Sequence, residues 1–190
     1  MSKIASLLDK ADDSRGYKAK YDALTKRIQE TFYDAKGNTY ASGTQIDLVY
    51  PMLAGVTPDN PKETVLKTLY EVTANRFQGH LATGLVGIPV LTEWAVKNGQ
   101  AEWMYQMLKK RDYPGYLYML DNGATTTWEH WNGERSHIHN CYNGIGTWFY
   151  QALAGIMPDE SQPGYKHIWI KPQVVNDISW VQASKDTPYG

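Results

Sequence analysis

Apolar residues recur every three or four positions from Ile4 to Ala154, and that spacing predicts helices. Ile4 to Tyr33 reads as a short helical piece followed by a long one. Tyr17, Tyr21, Leu24, Ile28 and Phe32 share one stripe, and Ser14-Arg15-Gly16 is the expected break. Lys36-Gly37-Asn38 reads as a turn, and Ser42-Gly43-Thr44-Gln45 as a capping box opening a helix to about Ala54. Asn60-Pro61-Lys62-Glu63 is a strong start signal, since Asn caps free N–H groups and proline needs none at the first helical position. Val65, Leu66, Leu69, Val72, Thr73 and Phe77 supply that helix's apolar face. A fourth helix is expected from Leu85 to Lys97, ending at Asn98-Gly99, and a fifth from Ala101 to Lys110.

The rhythm stops between Asp112 and Gly133, a Gly-, Tyr- and Thr-rich stretch that reads as one long loop, and long loops in compact domains are usually functional. Helical spacing returns from Cys141 to Ala154. Past Pro158 the short β-prone runs Ile168-Trp169-Ile170 and Ile178-Ser179-Trp180-Val181 predict strands. The chain thus divides into a helical part, residues 1–158, and the start of a β domain, residues 159–190. About six helices joined by short loops suggest stacked hairpins, closing around an axis or forming a bundle.

Composition narrows the chemistry. With 19 basic and 20 acidic residues the chain has no electrostatic footprint for nucleic acid or an anionic membrane. A neutral or weakly charged ligand fits better. The start, Met1-Ser2-Lys3-Ile4-Ala5, lacks the apolar run of a signal peptide, and nowhere do about 18 apolar residues run together, so a soluble chain is expected. The single Cys141 makes no intramolecular disulfide and no C-x-x-C site. Fourteen Tyr and seven Trp stand against three Phe, a bias toward rings with a polar handle that suits wet, carbohydrate-type clefts.

The stretch richest in chemistry is Thr125-Thr126-Thr127-Trp128-Glu129-His130-Trp131-Asn132-Gly133. A carboxylate between two indoles can act as an acid or base, and flat indoles stack on sugar rings. Standing alone, the tetrapeptide is more readily read as two core tryptophans around a surface glutamate. His80, His137 and His139 lack the H-E-x-x-H spacing or a cysteine partner, so no metal site and no cofactor is expected.

Gly123-Ala124-Thr125-Thr126-Thr127-Trp128-Glu129-His130-Trp131 resembles the G-A-T-T-x-W-E-x-W signature of bacterial α-L-rhamnosidases. Gly43-Thr44-Gln45, His80-Leu81-Ala82-Thr83-Gly84 before Gly87, Tyr113-Pro114-Gly115, and Ser136-His137-Ile138-His139 before Gly146-Thr147-Trp148-Phe149-Tyr150 resemble that family in the same order. The resemblance implies a mainly α fold, half of an (α/α)6 toroid of the six-hairpin glycosidase type, followed by the first strands of a C-terminal β-sandwich.

It also implies an inverting glycoside hydrolase acting on terminal α-L-rhamnosyl residues. Glu129 is then the general base, His139 contacts the sugar, and Trp128 and Trp131 shape the pocket. His130 stands where relatives often carry arginine, and Ile138 where they often carry asparagine. The family's general acid lies on a motif in the first barrel half that has no counterpart here. The expectation is therefore a piece of the enzyme, inactive alone, whose exposed half-barrel flank favours self-association. A non-catalytic sugar- or partner-binding helical module and a toroid glycosidase of other sugar specificity are the alternatives.

Overall fold

The computed structural model describes all residues, Met1–Gly190. Its helices are α1 (Ser2–Leu7), α2 (Ala11–Phe32), α3 (Gln45–Leu53), α4 (Asp59–Glu71), α5 (Gly87–Lys97), α6 (Ala101–Leu108) and α7 (Tyr116–Asp121). A π-helical turn, Val72–Arg76, extends α4, and 3-10 and π-helical segments occupy Asn140–Ile145 and Trp148–Leu153. No helix is long and apolar enough to cross a membrane. Two antiparallel strand pairs complete the chain: β1 (Tyr33–Asp34) with β2 (Thr39–Tyr40), and β3 (Ile156–Pro158) with β4 (Ile168–Ile170).

From α2 to α5 surface and buried helices alternate. α3 buries Leu48, Val49 and Met52, and α5 buries Ile88, Leu91, Trp94, Ala95 and Val96, whereas α4 buries only Val65 and Leu69. One apolar core joins α3, α5 and α6 to Trp128, Tyr142 and Trp148. Each large aliphatic or aromatic side chain so buried contributes about 1.5–3 kcal/mol, which explains why the central α5 is apolar nearly all round.

Several local expectations shift for identifiable reasons. The first break falls at Leu8–Lys10, not Ser14–Gly16: Asp9 takes a φ of 55° and the Lys10 amide closes the turn on Ala5 O at 2.8 Å. Gly16 stays inside α2, where it faces open space. The Tyr17–Phe32 stripe is helical, yet α2 contributes nothing to the buried core, because helical period predicts the face and not what covers it. The capping box is formed by Thr44 and Asp47, not by Ser42 and Gln45.

The stretch expected as a single loop contains α7, anchored by the buried Met119. The run Ile178–Val181 forms no strand. Instead the segment after β4 docks on the helices: Gln173 Nε2 donates to Val96 O at 2.8 Å, Gln173 Oε1 accepts from Ala101 N at 3.1 Å, and Val175 is buried. The Gly155 position is fixed by the same docking, since its φ is +70° and a side chain there would strike the Lys171–Pro172 backbone.

Candidate active site

Three connections lead into buried elements: 33–44 into α3, 77–86 into α5, and 109–139 into the 3-10 segment. Polar groups tie them together at one end of the fold. The fully buried Gln45, in the first turn of α3, donates through Nε2 to His80 O at 2.9 Å and to Thr73 Oγ1 at 3.0 Å, and its Oε1 accepts from Ala82 N at 2.8 Å. Trp131 of the third connection donates its indole N–H to Thr83 O at 3.4 Å.

The third connection folds back on itself, so that residues 126–129 run against 136–139. Glu129 N donates to Ser136 O at 2.8 Å, and His139 N donates to Thr127 O at 2.9 Å. Side chains reinforce this ladder: Thr127 Oγ1 donates to His139 O at 2.6 Å, and Thr126 Oγ1 donates to His137 O. The turn between these two segments is closed by Gly133, at a φ of +80°, whose carbonyl lies 2.8 Å from His137 Nε2. That φ is open to glycine at no steric cost.

Two residues ten apart in sequence are thereby brought face to face. The Glu129 side chain is 21% exposed, with Oε2 3.9 Å from His139 Nδ1 and 3.3 Å from the Ser136 amide that donates to it. On its other oxygen, Oε1, the His130 Nε2 and Arg135 Nη1 atoms approach to 3.8 and 3.7 Å. The carboxylate is thus half-sheltered, with its orientation set by a backbone amide and by basic side chains. Arg135 was not singled out from the sequence; its only signal was proximity to the motif, and its backbone φ of 64° reflects the tight turn that aims it.

The two tryptophans play different parts. Trp128 is buried in the core and stacked on the His137 ring at 4.9 Å, and a Cβ added at Gly133 would sit 3.0 Å from its Cζ3. Trp131 is half-buried and held edge-on by Tyr116, 5.2 Å between centroids, and against Tyr142 at 4.3 Å. The Tyr116 hydroxyl donates to Tyr142 O at 2.7 Å, and burial pushes that phenol well above its ordinary range, so it stays a neutral donor. His80 is engaged elsewhere, with Nδ1 donating to Pro114 O at 2.8 Å and Nε2 3.2 Å from Asp112 Oδ2.

Buried helices α3 and α5 set behind surface helices α2 and α4, with a half-sheltered carboxylate, an imidazole and an indole on the connections, fit a six-hairpin glycosidase domain. Residues 1–153 match the family model of the bacterial alpha-L-rhamnosidase 6 hairpin glycosidase domain, and residues 155–190 match that of the bacterial alpha-L-rhamnosidase C-terminal domain. The chain belongs to the bacterial α-L-rhamnosidase family.

It is similar to an alpha-L-rhamnosidase of Formosa agariphila, 30% identical over 204 residues that include 100% of this chain and 21% of the relative. An Alteromonas alpha-L-rhamnosidase is 30% identical, with 94% of this chain and 20% of the relative covered. Among solved structures, alpha-L-rhamnosidase from Dictyoglumus thermophilum superposes with a TM-score of 0.85 at 32% identity, covering 93% of this chain and 20% of that one. The Streptomyces avermitilis alpha-L-rhamnosidase complexed with L-rhamnose gives 0.83 at 26% identity, covering 93% and 18%. The chain spans about a fifth of the length of the relatives it matches. The mainly helical six-hairpin fold expected from the motifs is borne out.

Proposed function

We propose that this chain supplies the general-base side of an inverting α-L-rhamnosidase site. The observation that carries this reading is the approach of Glu129 and His139 across the 126–139 ladder, in a family whose relatives are α-L-rhamnosidases. In the reaction Glu129 takes a proton from water as the water oxygen bonds to the anomeric carbon. The bond to the glycosidic oxygen breaks on the opposite face, and the departing oxygen receives a proton from a general acid. His139 and Trp131 bind the sugar, and Trp128 holds the ladder in place from beneath.

Inverting enzymes keep the two carboxyls roughly 6.5–9.5 Å apart so that the water fits between them. On this reading a second carboxyl group, on the face of the sugar opposite Glu129, serves as the acid. Exposed Leu120, Phe149 and Trp180 support association of this chain with further polypeptide or with a second copy.

A rhamnoside with a strongly acidic phenol as leaving group needs little protonation on departure, so it tests the base without the acid. General acid catalysis is worth about 10²–10⁴-fold and is expected to be missing for an alkyl rhamnoside. The chain should release β-L-rhamnose slowly from the activated α-rhamnoside, seen by NMR, and Glu129→Gln should abolish it. Release unaffected by Glu129→Gln would overturn the assignment and favour a non-catalytic sugar-binding module.

A further inference from the structure

A second concave surface, which shares no lining residue with the Glu129 ladder, opens between the end of α4 with its π-helical turn and the outer face of α6. This groove encloses about 750 Å³, within the range of small-ligand sites. Its floor is the buried Thr73 and Met107, and its wall is the Tyr70–Trp103 ring pair, with centroids 5.7 Å apart and planes at 58°. π-helical turns are rare and are frequently found at functional sites.

The lining is one-sided in charge. Lys109, Lys110 and Arg111 face the groove and no carboxylate lines it. Arg111 is neutralised by a two-pronged bond to Asp121 at 2.5 and 2.7 Å, and Lys109 reaches Asp177 at 3.5 Å. Lys110 forms no ion pair. Its half-buried stem lies over Gly79, where an added Cβ would sit 3.2 Å from Lys110 Cε. Beside it Gln106 uses its Nε2 on Glu102, which leaves its carbonyl oxygen free to accept a hydroxyl proton.

We propose that this groove is a second carbohydrate site, independent of Glu129, that takes a pyranose bearing a carboxylate. The C–H face of the ring packs on Trp103 with its edge against Tyr70, whose plane is tilted 58° from it, Gln106 accepts from a hydroxyl, and Lys110 pairs with the carboxylate. A neutral sugar uses only the first two contacts. A simple anion uses only the last.

The test is an NMR titration of the 190-residue chain with methyl glucuronide, methyl glucoside and acetate, reading the Trp103 indole N–H. Trp103 also packs edge-on against Trp94, so the informative variants are at the half-exposed Lys110. The glucuronide should shift the Trp103 signal and bind about tenfold tighter than the glucoside, in line with one charge-assisted hydrogen bond. Lys110→Met should reduce glucuronide affinity to that of the glucoside, Lys110→Arg should restore it, and Glu129→Gln should leave it unchanged. Equal binding of glucuronide with either glucoside or acetate, indifference to Lys110→Met, no shift at Trp103, or loss on Glu129→Gln would each overturn the proposal. The last control keeps this site separable from the reading of Glu129.

Discussion

Replacing Gln45 by Met removes one amide of nearly unchanged length and leaves three groups without a partner: the Ala82 N–H, the His80 carbonyl and the Thr73 hydroxyl oxygen. Gln45 is fully buried, and Thr73 and His80 are buried beside it, so water has little access to compensate. An unsatisfied buried group costs about 1–3 kcal/mol. The two backbone groups alone therefore bring the expected loss to about 2–6 kcal/mol. Against a total stability of about 5–15 kcal/mol this is a large fraction.

Urea unfolding followed by far-UV circular dichroism measures the loss. The 80–83 segment also carries the Thr83 carbonyl that holds Trp131, so the Trp131 indole signal in NMR should broaden or move in the variant. A loss below about 1 kcal/mol with an unmoved Trp131 signal would refute the claim that Gln45 ties the connections together.

Two further perturbations probe the same architecture. Gly133→Ala places a Cβ 3.0 Å from Trp128 Cζ3 at a φ of +80°. Left-handed backbone costs roughly 1–2 kcal/mol and overpacking about 1–3 kcal/mol. A melting curve should show a clear loss and the His137 ring signal should move, whereas an unchanged spectrum would show that the turn is slack. At the start of α3, burial tends to push the Asp47 carboxyl up, but hydrogen bonds from the Ser42 and Thr44 side chains and the Thr44 amide outweigh it and hold the pKa below the usual carboxylate range. Its stabilising contribution is therefore fully present above the unfolded value of about 3.9 and is lost as pH falls through the folded one. Asp47→Asn should lower the melting temperature at neutral pH by an amount that shrinks below about pH 4, and a constant difference across that range would contradict the assignment.

Helix existence was legible in the sequence because burial at three- and four-residue spacing leaves a periodic trace, as at Ile88, Leu91 and Trp94. The α3 cap was legible to within two residues: hydroxyl and carboxylate side chains cluster at Ser42–Asp47, and only geometry selects Thr44 with Asp47, whereas α4 opens at Asp59 after Pro58 and Asn60 lies inside it without capping. The six residues of α7 were missed, since Tyr116–Asp121 is too short to show a period and buries only Met119. Ile178–Val181 has strand-forming residues but no neighbouring strand to pair with, and a ladder needs a partner that local sequence does not reveal.

At the candidate site, Glu129 and Trp131 were singled out from the Trp-Glu-His-Trp motif and His139 from the family resemblance, and the fold brings Glu129 and His139 within 3.9 Å. The difference between the buried Trp128 and the half-exposed Trp131 was not, because both are the same residue type and only the fold-back of 126–139 distinguishes them. Arg135 escaped for the same reason, as its approach to Glu129 depends on the turn at Gly133.

Titration of the chain with L-rhamnose, followed through the His139 ring and the Trp131 indole by NMR, tests the central claim most directly. The account predicts that both signals shift together, that His139→Ala weakens binding, and that Glu129→Gln leaves most of it in place. No shift at either residue, with the fold intact, would contradict it.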